Sequence, residues 1–380
     1  MPIESQEVIE ALTRLNKFQH FTEIREGANA FTYRAHHIYL DRPVFLKVIY
    51  LNEEDQDSIL REPRLLVQAL RSDPPCENIV ELYDADIIRI QEADHLCLQM
   101  EYIDGRSLLS ILESRSVGQQ DAIRICTGIL HGCNHLHGQR MLHRDLKPAN
   151  VLLADAVPKI TDFGSVRLLE QGHDFTTASH HSALYVPPEG WEDPSRYFIC
   201  SDIYQVGMIL YELVNGCLVY EQSHYVTRAL RQELDKQNMD YERLDEVDKC
   251  IWANRGIAEL AKRGRLLEYG CSPRPYCSSK IRRIVRIVTH PELNRRCPNV
   301  DQFLNRLLQI DVPDWKPIND YYEAESWQGF DWRVLTVQTR RRDLIRVEKA
   351  RAGTGKYRTI TTHPFVSEWD AFDFIERFRR

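Results

Sequence analysis

The sequence lacks a long apolar run, a secretion signal and an excess of positive charge. Its longest apolar stretch, 206–219, contains Glu212 and Asn215 and is shorter than the roughly 20 residues that a helix needs to cross a bilayer. The first ten residues carry acids and no apolar signal segment. The net charge of −7 gives no general attraction to nucleic acid or anionic membranes. These absences argue against membrane insertion, a membrane partner and secretion.

The ten cysteines lack the regular spacing of a disulfide framework. In a chain of 380 residues without an export signal, scattered cysteines are typical of reduced thiols. The cysteine pattern therefore predicts a cytoplasmic protein.

The order of the sequence patterns predicts an α+β protein of several parts. An apolar period typical of a helix, with Ser5 as its cap, falls in residues 1–20. Short alternating segments typical of strands fill 21–102, and helical periods dominate 106–310. Residues 315–380 combine apparent strands with a last helix and form a small β-plus-α unit. A sheet lobe and a helical lobe would leave a cleft between them.

Two short motifs carry the chemistry. The run from His143 to Asn150 reads His-Arg-Asp-Leu-Lys-Pro-Ala-Asn, and Asp162-Phe163-Gly164 begins twelve residues after Asn150. Phosphoryl transfer requires a group that accepts the acceptor's proton, a cation beside the phosphoryl group and oxygen ligands for a metal ion. Asp145, Lys147 and Asn150 offer these three groups in six residues. Asp162 adds a second metal-binding carboxylate.

In order and spacing these motifs resemble those of the eukaryotic-type protein kinase family, Ser/Thr type. The resemblance covers residues 21–310 and implies a bilobal fold, with a small β-rich N-lobe at 21–102 and a large helical C-lobe at 106–310. It also implies that the chain uses ATP and Mg²⁺ to phosphorylate protein substrates. Autophosphorylation of the chain itself would be one such reaction. A small-molecule kinase is a third interpretation, which Val186-Pro187-Pro188-Glu189 and Lys147 disfavour.

Carried over to matching positions, the resemblance implies a role for each site residue. Asp145 would be the catalytic base, Lys147 would neutralise the transferring phosphoryl group, and Asn150 and Asp162 would hold Mg²⁺. Lys47 would hold the α- and β-phosphates and would pair with Glu62. The remaining nucleotide contacts would come from the phosphate loop and from the hinge behind the gatekeeper: Gly27, Asn29, Met100, Glu101 and Ile103.

Two features depart from the family pattern. The phosphate loop keeps only the first of three glycines, Gly27, and is about two residues short. Phe45 stands where the family usually has alanine above adenine. Both changes reduce the expected affinity for nucleotide. The alternative function is therefore a pseudokinase or scaffold, which binds partners without transferring phosphate.

The segment before Pro187 contains hydroxyl side chains that phosphorylation could modify. Thr176, Thr177 and Ser179 are the candidate phosphosites, and Arg144 could pair with a phosphate there. An ordered loop with ordinary surface hydroxyls remains the alternative.

The last fifty residues are basic. Residues 331–380 hold twelve Lys or Arg against seven Asp or Glu, a net charge of +5. Two interpretations stay open. The unit could bind nucleic acid, or its Lys and Arg could only protect strand edges while its tryptophans pack it onto the helical lobe. Packing is the favoured interpretation.

Overall fold

The fold comes from a computed structural model that describes residues 4–24, 30–50, 75–114, 117–169, 175–176, 183–193, 196–338, 343–360 and 365–378. Its first part is an antiparallel sheet in the order β1-β2-β3-β5-β4. The strands are β1 (Phe18–Glu23), β2 (Phe31–His37), β3 (Arg42–Tyr50), β4 (Leu82–Ile90) and β5 (Ala93–Glu101).

Helix α1 (Ser5–Thr13) packs on one face of this sheet. Val8 and Leu12 are fully buried against Leu46 and other residues of the same core cluster. The predicted Ser5 cap is wrong: the cap residue is Glu4, whose backbone N–H donates to Glu7 Oε2 at 3.0 Å, and Ser5 Oγ instead donates to Glu23. The first strand begins at Phe18, three residues before the expected boundary at 21.

Alternation along β3 divides its side chains between two cores. Val44, Leu46 and Val48 pack towards α1. Phe45 and Ile49 pack against the core of the helical lobe. Because strand side chains alternate, Lys47 shares the face of Phe45 and Ile49 and points to the cleft.

The second part is helical and surrounds a central helix, α5. Its helices are α2 (Leu108–Ser114), α3 (Gln119–Gly138), α4 (Pro188–Glu192), α5 (Ile199–Asn215), α6 (Arg228–Lys236), α7 (Glu246–Lys262), α8 (Leu266–Gly270), α9 (Ser279–Val288) and α10 (Val300–Leu308). Every residue of α5 from Ser201 to Asn215 is buried. Within the described ranges, no helix combines the length and apolarity that a membrane crossing requires.

Short strands border the cleft in this lobe. They are β6 (Arg106–Ser107), β7 (Met141–Leu142), β8 (Val151–Ala154), β9 (Val157–Ile160), β10 (Arg167–Leu168), β11 (Phe175–Thr176) and β12 (Tyr197–Phe198). Two backbone hydrogen bonds of 2.9 Å join Ile160 to Asn78 and Val80, and so tie β9 to the segment before β4. This connection fixes where Asp162 emerges.

The last part is an antiparallel sheet in the order β13-β14-β15-β16-β17, with one helix packed on it. Its elements are β13 (Lys316–Ile318), β14 (Tyr321–Trp327), β15 (Phe330–Val337), β16 (Leu344–Arg351), β17 (Arg358–Thr359) and α11 (Glu368–Glu376). Trp315, Trp327 and Trp332 are buried in one core with Tyr276 of the helical lobe. The buried tryptophans agree with the packing interpretation of this unit.

A carboxylate from α11 caps helix α9. Glu376 accepts hydrogen bonds from Ser278 Oγ at 2.6 Å and from the Ser279 backbone N–H at 3.2 Å. A carboxylate at a helix N-terminus satisfies unpaired N–H groups and interacts favourably with the helix dipole. The appended unit is therefore bonded to the helical lobe as well as packed on it.

Glu376→Ala is expected to lower the free energy of unfolding by about 2 kcal/mol, because the Ser278 and Ser279 donors lose a charged acceptor. Urea unfolding followed by circular dichroism measures this difference. Glu325→Ala is the control, since Glu325 is exposed on β14 of the same unit. Equal stability of the two variants would contradict the capping role.

Candidate active site

The buried carboxylate of Asp202 on α5 is hydrogen-bonded to the start of the loop His143–Asn150. Its two oxygens accept the backbone N–H groups of His143 and Arg144, each at 2.9 Å. His137 Nε2 lies 2.8 Å from the same carboxylate. Burial raises the pKa of Asp202, but the hydrogen bonds from His137 and the Arg144 backbone outweigh burial and hold the pKa below its usual value. Asp202 therefore stays ionised and fixes the start of the loop.

Gln205, one turn further along α5, fixes the middle of the loop. Its Oε1 accepts the Leu146 backbone N–H at 2.8 Å, and its Nε2 donates to the carbonyl groups of Arg144 and Tyr185. Arg144 adopts a left-handed backbone with φ of 68°, which is uncommon for a residue other than glycine. The two α5 side chains hold this conformation.

Two side chains of the loop converge on the carboxylate of Asp145. Lys147 Nζ lies 2.9 Å from Asp145 Oδ2. Asn150 Nδ2 donates to the backbone carbonyl of Asp145 at 2.7 Å and to its Oδ2 at 3.1 Å. The side-chain NH₂ group of Asn150 thus positions Asp145, while no described residue hydrogen-bonds the side-chain oxygen, Oδ1, of Asn150.

Residues from both lobes meet beside this loop. Lys47 Nζ on β3 lies 2.6 Å from Asp162 Oδ1. The Thr161 backbone N–H donates to the Asn150 carbonyl at 3.0 Å, so Asp162 follows directly after a residue bound to the loop. Asp162 has a φ of 61°, and such conformations are concentrated at functional sites.

His143 connects the loop to the segment that carries Asp162. Its Nε2 donates to the Thr161 carbonyl at 3.0 Å, and its ring meets Phe163 edge to face with centroids 6.0 Å apart. Phe163 shares a core with Leu82 of β4.

The sequence of this chain is similar to those of known proteins. The family model described as "Protein kinase domain" matches residues 18–313. The chain belongs to the protein kinase family. The predicted family and the bilobal α+β class, with its C-terminal sheet, are thereby confirmed.

The individual relatives are mostly Ser/Thr kinases. "Probable serine/threonine-protein kinase PknB" of Lactococcus lactis is 32% identical over 57% of this chain and 34% of its own length. "Mitogen-activated protein kinase kinase 3" of Arabidopsis thaliana is 30% identical over 61% of this chain and 45% of its own length. "Serine/threonine-protein kinase PrkC" of Bacillus subtilis is 30% identical over 57% and 33%. The chain thus matches between a third and a half of the length of these curated relatives.

The predicted hinge lies at the end of β5. Met100 is buried and pairs in register with Phe45 and Leu82. The Glu101 side chain lies 3.0 Å from Lys159 Nζ. No described residue hydrogen-bonds the backbone N–H or carbonyl of Ile103, which leaves this peptide available at the edge of the cleft.

Several predicted positions lie outside the described residues: Gly27, Asn29, Glu62, Thr177 and Ser179. Thr176 belongs to β11, which pairs with β12. Arg144, proposed above to pair with a phosphate, is buried, and its Nε donates to the Ser165 carbonyl at 2.5 Å.

Buried polar contacts also support the segment that follows the loop. Arg296 binds Glu189 through two hydrogen bonds of 2.8 and 2.7 Å, while the neighbouring Arg295 is exposed beside Glu292. Sequence reasoning assigned no role to His137, Gln205 or Glu212. Burial raises the pKa of Glu212, which accepts hydrogen bonds from Tyr185 and Tyr220. The position of Glu212 inside the apolar run 206–219 was the available signal for its burial.

Proposed function

We propose that the chain is an ATP-dependent Ser/Thr protein kinase, with residues 21–310 as the kinase domain and 315–380 as an appended unit of other role. The observation that carries the proposal is the meeting of Lys47 and Asp162 beside the Asp145, Lys147 and Asn150 cluster. Family membership and the names of the relatives support the reaction class.

The oxygen atoms in the cleft are suitable ligands for a hard divalent cation. Asp162 supplies carboxylate oxygen and Asn150 supplies an amide oxygen that no described residue uses. Mg²⁺ prefers oxygen ligands of this kind, so the residues present fit the metal. When bound there, Mg²⁺ would neutralise charge on the nucleotide phosphates.

The side chains of the loop would carry out the transfer. Asp145 would accept the proton of the substrate's Ser or Thr hydroxyl, and the Lys147 ammonium would offset the charge of the transferring phosphoryl group. Lys47 would bind the α- and β-phosphates, and these phosphates would take over part of the present contact between Lys47 Nζ and the Asp162 carboxylate. Met100, Glu101 and Ile103 would border adenine. The backbone N–H and carbonyl of Ile103, which no described residue hydrogen-bonds, would be the hydrogen-bonding groups.

Other predictions remain proposals beside this one. The substrates would be proteins, including the chain itself, with Thr176, Thr177 and Ser179 as sites of autophosphorylation. All ten cysteines are free thiols, which supports a cytoplasmic location.

Transfer of the labelled γ-phosphate of ATP, to a generic basic protein and to the chain itself, tests the function. We expect Mg²⁺-dependent incorporation that Lys47→Met and Asp162→Asn reduce by at least about 100-fold, since each removes a charge that acts on the phosphates. Lys249→Met is the control, because Lys249 pairs with Glu246 on α7, away from the proposed site. ATP binding without incorporation by wild type would favour the pseudokinase.

Phe45→Ala is expected to lower the Kd for ATP by about fivefold, equivalent to about 1 kcal/mol. The Phe45 ring shares the cleft face of Lys47 and pairs in register with Met100, so it reduces the space above adenine. Isothermal titration calorimetry with non-hydrolysable ATP measures the change.

The control for Phe45 is Tyr50→Ala, on the same strand but exposed. Because Phe45 also packs against the core, urea unfolding of the unliganded variant separates the loss of stability from the change in affinity. An unchanged or raised Kd would show that the ring does not restrict the nucleotide.

A further inference from the structure

A second cavity lies in the helical lobe, away from the cleft. It has a volume of about 270 Å³ and opens between the end of α5, the turn before α8 and one face of α9. Tyr211 and Asn215, which line it, follow Asp202 on α5 by about 14 and 20 Å at the rise of an α-helix. The site is therefore separate from the residues proposed to bind nucleotide.

The walls of this cavity carry an excess of positive charge. Three arginines, Arg263, Arg282 and Arg286, face one acid, Glu268. Arg286 has no carboxylate within ion-pair distance among the described residues, and it follows Arg282 by one helical turn on α9. Arg282 and Arg286 therefore lie on the same side of α9.

The other two arginines are only loosely neutralised. Arg263 lies 3.6 Å from Glu259, and Arg282 Nη2 lies 3.9 Å from Asp373 of the appended unit. Both carboxylates are farther away than in a charge-assisted hydrogen bond. Arg282 Nη1 already donates to the Cys277 carbonyl at 2.6 Å, so Nε and Nη2 are the donors that an anion in the cavity would meet.

The remaining wall is largely apolar. Leu267, Val285 and Pro291 contribute aliphatic surface. The Tyr211 hydroxyl already donates to the Cys271 carbonyl at 2.5 Å, which leaves its ring as the wall. Burial raises the pKa of the Cys277 thiol to about 12, so this side chain is neutral. An inorganic anion alone would leave these surfaces uncovered.

We propose that this cavity binds a small amphiphilic anion, with one carboxylate or phosphate group on a compact apolar body. The anionic group would lie against Arg282 and Arg286, and the body against Leu267, Val285 and the Tyr211 ring. A volume near the lower end for ligand pockets restricts the occupant to a small molecule. The proposal goes beyond the phosphoryl transfer proposed above and does not depend on it.

Calorimetric titration of the full chain with four probes tests the proposal: octanoate, octyl phosphate, 1-octanol and inorganic phosphate. At least one of octanoate and octyl phosphate is expected to bind, with an affinity at least about fivefold higher than those of 1-octanol and inorganic phosphate. Only these two probes combine an anionic group for the arginines with an apolar chain for the aliphatic wall. The comparison between octanoate and octyl phosphate identifies the anionic group. Equal binding of 1-octanol, equal binding of inorganic phosphate alone, or binding of neither amphiphile would overturn the proposal.

A matched pair of variants locates the binding. Arg286→Gln is expected to weaken the binding of octanoate or octyl phosphate by about fivefold. Arg283→Gln is expected to change it less than about twofold, since Arg283 is exposed on α9 but does not line the cavity. Both side chains are exposed, so neither substitution disturbs the core. Equal effects of the two would place the anion elsewhere and reject the assignment.

Discussion

Asp145→Asn is expected to reduce the rate of phosphate transfer by at least about 100-fold, the usual contribution of a positioned general base. Asparagine has nearly the same shape as aspartate, but its amide cannot accept the proton of a substrate hydroxyl at neutral pH. It also removes the negative charge that draws in Lys147 and the Asn150 amide. The effect should appear in kcat, because Asp145 is not among the residues proposed to contact adenine.

The measurement is single-turnover transfer of labelled γ-phosphate, together with the Kd for ATP of each variant. Asp155→Asn provides the control, since Asp155 is an exposed acid in the turn between β8 and β9. We expect its rate to stay within about twofold of wild type. A full rate for Asp145→Asn would rule out a general-base role for this carboxylate.

Arg296→Met is expected to lower the free energy of unfolding by about 3–5 kcal/mol, which is the cost of breaking a buried ion pair from one side. The Arg296 side chain is fully buried, and its two hydrogen bonds reach both oxygens of Glu189. Its removal leaves the Glu189 carboxylate buried with Ser201 Oγ as its remaining hydrogen-bond donor among the described residues. An uncompensated buried charge is therefore the origin of the loss.

The neighbouring residue provides the control. Arg295→Met removes the same charge one position earlier, but the Arg295 side chain is 63% exposed and pairs with Glu292 on the surface. Surface pairs contribute about 0–1 kcal/mol, so this variant should remain close to wild type. The double variant Arg296→Met with Glu189→Met is expected to recover part of the lost stability, because no unpaired charge remains. Urea unfolding compares all three, and equal losses at 295 and 296 would contradict the argument.

The parts of the site that sequence predicted best are those encoded by neighbouring residues. Asp145, Lys147 and Asn150 stand within six positions, so their chemistry is visible before folding, and the structure brings them together as expected. Lys47 is 115 residues from Asp162. Their meeting was accessible only through the resemblance to a family, since no local pattern connects a strand residue with a distant loop.

Other features depended on tertiary structure that sequence does not reveal. Gln205 binds loop residues about sixty positions away, and its side chain alone does not distinguish a buried polar anchor from an ordinary helix residue. Strands β13 and β14 carry little signal in the sequence. Acidic residues interrupt the apolar pattern of β14, and a register shift between Ala324 and Trp327 breaks the alternation that identifies a strand. The capping of α9 by Glu376, almost a hundred residues away, likewise requires the assembled fold.

The attachment of the catalytic loop to α5 has a consequence for how the protein loses activity on heating. A segment tied to a fully buried helix shares that helix's free energy of opening, and such helices open only with the molecule as a whole. The backbone N–H groups of His143, Arg144 and Leu146 all donate hydrogen bonds to side chains of α5. Inactivation should therefore coincide with global denaturation, and the loop will behave as part of the most protected cooperative unit, unlike ordinary surface loops.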